Sequence, residues 1–128
     1  MKYRHKFRRV EFYRTADGTK PVAEWLNKLD DDRAQAVAMG VRFFEEYPGA
    51  VVPRKFFEKI SDHIWEIKTH YGREQFRLLS FIEHNAIVIA AHGFAKKSMD
   101  IKQQDLELAE ERRKDYLRRR AQKPKAAT

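Results

Sequence analysis

Apolar residues recur along this chain with two different periods, and the change from one to the other divides it. From Val22 onward, Val22, Trp25, Leu26 and Leu29 fall at i, i+3, i+4 and i+7, which is one face of a helix. Pro21 stands where the first turn of a helix needs no N–H, so the spacing predicts a helix opening there. Asp30-Asp31-Asp32 interrupts the pattern, and carboxylates at that place cap the next helix and complement its dipole. The second helix carries Ala34, Val37, Ala38, Val41 and Phe44 as its stripe, and Pro48-Gly49 ends it. Ahead of the pair, Phe7 to Arg14 contains Phe7, Val10, Phe12 and Tyr13 and predicts an opening strand, followed by the turn signal Asp17-Gly18.

Past residue 60 the period drops to two. From His63 to His70, Trp65, Ile67 and Thr69 alternate with Glu66, Lys68 and His70. Tyr71-Gly72-Arg73-Glu74 predicts a hairpin connection, after which Phe76, Leu78, Ser80 and Ile82 alternate with Arg77, Leu79 and Phe81. Glu83-His84-Asn85 turns the chain into its most apolar strand, Ala86 to Phe94, where Val88, Ala90 and His92 form one alternation set. These segments predict a three-stranded antiparallel meander. Arg54 to Phe57 fits either a short strand or a helix. A last helix is predicted from Gln103 to Arg119, with Leu106, Ala109, Tyr116 and Leu117 as a sparse apolar stripe. The expected fold is α+β. A helical hairpin over 21–47 packs through Trp25, Leu26, Leu29, Val37, Val41 and Phe44 on a small curved antiparallel sheet, followed by a C-terminal helix. One domain is expected over 1–120, with a basic tail over 121–128.

Charge sharpens this picture. Lys and Arg number 27 against 19 for Asp and Glu, a net charge of +8 in 128 residues. Such a surface draws polyanions, nucleic acid among them. Eight basic residues lie between Arg112 and Lys125 against Asp115 alone. No apolar run approaches the ~20 residues of a membrane span, and the basic N-terminus leads into no apolar signal core, so a cytoplasmic setting is expected. The lack of cysteine excludes disulfides, thiolate zinc sites and thiol catalysis.

Phosphate loops, G-x-S-x-G and H-E-x-x-H are missing, and the histidines have no ligand spacing, so neither metal nor cofactor is expected. What remains open to a basic protein is charge stabilisation at phosphate plus proton transfer. RNA brings its own nucleophile, the 2′-hydroxyl beside the scissile phosphate. Arg77 stands in an apolar stripe, where a charge needs a partner or a role. The meander gathers Glu66, Lys68, Arg77, His92 and Lys96 or Lys97 near one surface. A cross-strand ion pair of Glu66 with Arg77 or Lys68 is the competing structural role for those residues.

The blocks Val10-Glu11-Phe12-Tyr13, Asp17-Gly18, Pro21-Val22 and Trp25-Leu26 resemble the N-terminal part of the phage-type branch of the RelE/HigB toxins. So do Ile64-Trp65-Glu66-Ile67-Lys68, Phe76-Arg77-Leu78-Leu79, His92-Gly93-Phe94-Ala95-Lys96-Lys97-Ser98 and the stretch from Ala109 to Tyr116. The resemblance runs in consistent order over roughly residues 7 to 117. It implies a RelE-like fold and the toxin of a type II toxin–antitoxin module. The implied activity is endoribonuclease cleavage of mRNA at the ribosome, silenced by a helix-turn-helix antitoxin covering the basic sheet surface. Arg77 matches the family's sheet arginine, Lys96 and Lys97 its lysine pair, and Trp65-Glu66 its strand motif. The sequence departs at Lys68, where arginine is common, and at Lys102, where a proline often opens the last helix.

On this reading Arg77, Lys96 and Lys97 hold the phosphate, and His92 or Glu66 is the base. Lys68, Arg73 and Tyr116 contact RNA, with Tyr116 or a cation assisting the leaving oxygen. The alternatives are a ParE-like, non-catalytic toxin that binds a protein target such as gyrase, and a non-toxic phage RNA-binding protein.

Overall fold

A computed structural model describes residues 8–84, 87–97 and 100–122. Of the expected tail over 121–128, Ala121 and Gln122 instead continue the last helix, and the remainder, with Phe7, Asn85, Ala86 and Ser98, lies outside the described residues. Strand β1 (Arg9–Phe12) leads into α1 (Pro21–Lys28) and α2 (Asp31–Glu46). Then come β2 (Phe57–Lys59), β3 (Trp65–Tyr71), β4 (Glu74–Glu83), β5 (Ile87–Lys96) and α3 (Gln103–Gln122).

Local chemistry accounts for the helix ends. Pro21 is the first residue of α1, and the Asp30 carboxylate caps α2 by accepting the Arg33 N–H at 2.9 Å. Such a cap is worth about 1 kcal/mol. Helix α3 starts without a proline: the Lys102 carbonyl accepts the N–H groups of Asp105 and Leu106 and begins the ladder. Gly72, with φ +60, is the first of two residues between β3 and β4, the place where a tight hairpin turn requires a left-handed residue.

The strands form one sheet in the order β1-β5-β4-β3-β2. The meander β3–β4–β5 is antiparallel as expected, and β2 joins it antiparallel on β3. The wholly antiparallel sheet is corrected at one edge, where β1 runs parallel to β5. The reason is the crossover. Helices α1 and α2 carry the chain over one face from the β1 edge to the β2 edge, so no hairpin links β1 to its neighbour. The 54–57 segment is neither option in full: Pro53 to Phe56 make a tight turn, and β2 starts at Phe57.

Each face of the sheet has its own core. On one, Val22, Val37 and Phe44 of the helical hairpin pack on Ile67, Phe76, Leu78, Val88 and Ala90, with Trp25, Leu26, Leu29 and Val41 at the margin. The expected stripe is therefore the buried one, apart from Ala38, which is exposed. On the other face Ala109 of α3, with Leu106 and Tyr116, packs on Leu79, Phe81, Ile89 and Ala91. Gly93 marks the closest approach of α1 to the sheet, because a Cβ there would lie 2.5 Å from the Trp25 ring.

Candidate functional site

The α3 face changes character toward the β3–β4 turn. Register places three cross-strand rows there: Glu66–Leu79–His92, then Lys68–Arg77–Phe94, then His70–Gln75–Lys96. Neighbours within a row are roughly 5 Å apart. The sheet thus brings Glu66, Lys68, Arg77, His92 and Lys96 onto one patch.

His92 reaches it through an irregularity. Leu79 faces His92 while Ser80 faces Ala90, leaving Ala91 as an extra residue in β5. This bulge breaks the alternation, so His92 does not share a face with Val88 and Ala90 as its spacing predicts. It sits on the Arg77 side instead.

The charged groups of the patch are largely paired. Arg77 is only 7% exposed. Its Nε lies 3.0 Å from Glu66 Oε2, within ion-pair distance but off the angle of a hydrogen bond, so neither atom has a hydrogen-bond partner among the described residues. Its Nη1 donates to Gln75 Oε1 at 3.1 Å and to the Phe76 carbonyl at 3.2 Å. Lys68 Nζ is 2.7 Å from Glu58 Oε1. Hydrogen bonds from Lys68 and then Arg54 hold the Glu58 carboxyl below its usual range.

His92 Nε2 is 2.7 Å from Asp105 Oδ1 at the start of α3. A carboxylate only accepts, so this contact places the proton on Nε2 and leaves Nδ1 as the basic nitrogen. The Phe94 ring stacks beside the imidazole at 5.4 Å.

Other residues singled out in the sequence divide by location. Arg73, exposed in the β3–β4 turn, and Lys97, exposed just past β5, lie at the same end of the sheet as Lys96. Tyr116 lies apart: its hydroxyl donates to Glu83, six residues along β4 from Arg77 and so roughly 20 Å away at strand rise. Burial, with that hydrogen bond second, pushes the phenol up to about 12. Three partners were missed in the sequence: Asp105, Gln75 and Glu58. Asp105 reads there as an ordinary acid in a first helical turn, and no spacing ties it to His92. Among the described residues no three His, Cys, Asp or Glu side chains gather as a metal site.

An α+β chain whose ion-paired sheet patch lies beside a C-terminal helix now has its counterpart among known proteins. Residues 24–114 match the family model described as Phage derived protein Gp49-like (DUF891). The match spans well over half of the chain, which therefore belongs to this family, one of RelE/HigB-like toxins. No curated protein matches the sequence. Among the described residues no helix is long and apolar enough to cross a membrane.

Proposed function

We propose that this chain is the toxin of a type II toxin–antitoxin module and that it cleaves mRNA as a metal-independent endoribonuclease, with the ribosome presenting the strand. The supporting observation is the three-row patch, which sets a histidine with a basic Nδ1 in the row beside buried Arg77, with the cations Lys96, Lys97 and Arg73 beyond Arg77 at the end of the sheet. His92 Nδ1 takes the 2′-hydroxyl proton. The 2′-oxygen then bonds to the neighbouring phosphorus, and the bond to the 5′-oxygen breaks. A lysine returns a proton to that oxygen, leaving a 2′,3′-cyclic phosphate and a 5′-hydroxyl. Lys96 and Lys97, with no carboxylate partner among the described residues, neutralise the charge that grows on the phosphate. Ribosomal positioning suits such a patch, because orientation supplies much of the rate. The proposed partner is a helix-turn-helix antitoxin, and the proposed setting is the cytoplasm.

A second reading is favoured by the burial of Arg77. Glu66 lies at ion-pair distance from its Nε and Gln75 accepts from its Nη1, so the guanidinium is already engaged within the protein, as befits a scaffold that acts by binding a protein target such as gyrase. Mapping of mRNA 5′ ends after induced expression separates the two. Cleavage predicts new 5′-hydroxyl ends, reduced ~10²–10³-fold by Lys96→Ala combined with His92→Ala, in a protein that remains folded. Growth arrest without new ends overturns cleavage in favour of protein binding. New ends undiminished in the folded variant overturn the assigned residues.

A further inference from the structure

The opposite face of the sheet carries a second open feature, at the β2–β3 edge. β2 pairs with β3 only over Trp65–Ile67, because the chain folds away at the turn Pro53–Phe56. The Lys68 N–H still reaches the Phe56 carbonyl at 2.8 Å, but the Phe56 N–H is spent on Pro53. Successive residues of a strand aim their backbone groups to alternate sides. The Lys68 carbonyl and both backbone groups of His70 therefore point away from β4, along an edge to which no described strand is paired. The far edge of the sheet is closed by contrast: the Val10 N–H of β1 donates to the Glu45 carboxylate at 2.8 Å.

Beside the open edge, α2 and β3 enclose a groove of about 420 Å³ lined by Ala36, Met39, Phe43, Phe56 and Thr69. Met39 is 65% and Phe43 47% exposed, an apolar pair left in water on one helix face. Thr69 is 3% exposed, and its Oγ1 has no hydrogen-bond partner among the described residues. Gly40 lets the helix sit close, since a Cβ there would lie 2.6 Å from Thr69 Cγ2. Lys55 stands over the Phe56 ring at 5.2 Å, and Lys68 and His70 border the groove from the strand.

We propose that this edge and groove bind an extended segment of a partner protein in which acidic and apolar residues alternate. The segment adds as a strand beside Lys68–Tyr71. Its apolar side chains enter the groove against Met39, Phe43 and Phe56, and its acidic ones turn toward the face that carries Lys68 and His70. Unpaired backbone groups favour an extended chain over a helix. Apolar lining favours protein over RNA, and the +8 charge opposes pairing with a second copy. The site stands on the open edge, the groove and the charge, and does not rest on the toxin–antitoxin reading.

The test uses the full chain and two fluorescent peptides, one alternating Glu and Val and one alternating Lys and Val. The Glu–Val peptide should bind saturably, more weakly as salt rises, and slow amide exchange at His70. The Lys–Val peptide should bind at least about tenfold more weakly. Met39→Lys, at the more exposed position, should keep the melting temperature and weaken Glu–Val binding about tenfold. Phe43→Lys, which also gives up ring contacts to Phe56 and Tyr47, should weaken binding as much in a protein shown by its melting curve to stay folded. Equal affinity for both peptides, no saturable binding, or binding undiminished in Phe43→Lys overturns the proposal. Concentration-dependent dimers that Phe43→Lys abolishes, or an oligoribonucleotide that displaces the peptide, assign the groove to another occupant and overturn it too. Because no cleavage is measured, failure here leaves the nuclease reading intact, and failure of cleavage leaves this site intact.

Discussion

The two faces of the sheet are built by opposite means. Against the helical hairpin, Phe76, Leu78, Val88 and Ala90 meet Val22, Val37 and Phe44 in an apolar core. Against α3, apolar packing is confined to the middle, and polar pairs hold both ends: Arg77 with Glu66 and His92 with Asp105 at one, Tyr116 with Glu83 at the other. Apolar packing is non-directional and tolerates small rearrangements of partners. Buried ionic contacts demand particular atoms at particular places and are costly when half made. The hairpin face therefore fixes the sheet, and the α3 face orients chemical groups on it.

The sharpest way to break this contrast is at the buried ion pair. Glu66→Leu alone strands the Arg77 charge and should lower stability by ~3–5 kcal/mol in urea unfolding. Adding Arg77→Met removes the orphan and should restore most of that loss. A double variant as unstable as the single would mean that the site residues serve the core in their own right. The hairpin face is probed next by Gly93→Ala. The new methyl would press on the Trp25 ring and should cost ~1–3 kcal/mol, read as a lower melting temperature. An unchanged melting temperature would show that this face yields more than its packing implies.

The smallest effect is expected at Tyr116. Its folded value, raised to about 12 by burial and Glu83, lies above the ordinary value near 10 of an unfolded chain. The folded state thus keeps a proton that the unfolded chain loses. The associated stability is complete below about pH 10 and disappears as pH rises through about 12. Tyr116→Phe should cost about 1 kcal/mol near neutrality, and alkaline unfolding should become less steep than in the parent. An identical alkaline profile in the variant would assign the loss to other groups.

Much of the fold was legible because its signals are local. The spacing of Val22, Trp25, Leu26 and Leu29, the proline at 21 and the cap at Asp30 all act within a turn or two of chain. The alternation in β3 and β4 is equally short-ranged and placed Arg77 with Leu79 and Phe81 correctly. The candidate site was legible in its cations but not in their partners. Asp105 reaches His92 from another element, and Gln75 and Glu58 have no feature in sequence that marks them. The spacing of His92 points to the wrong alternation set, since one extra residue at Ala91 reverses every side chain beyond it.

By itself, then, the sequence determined the helices, the meander strands, the helical-hairpin stripe that is buried and the excess of positive charge. Each follows from periodicity, capping or composition, which neighbouring residues specify among themselves. The tertiary structure alone decided that β1 lies parallel to β5, that the bulge turns His92 toward Arg77, and that Asp105 and Glu66 claim those two groups. It also left the β3 edge open beside Met39 and Phe43. These are relations between segments far apart in the chain, settled by which arrangement buries the apolar faces while pairing the charges caught between them.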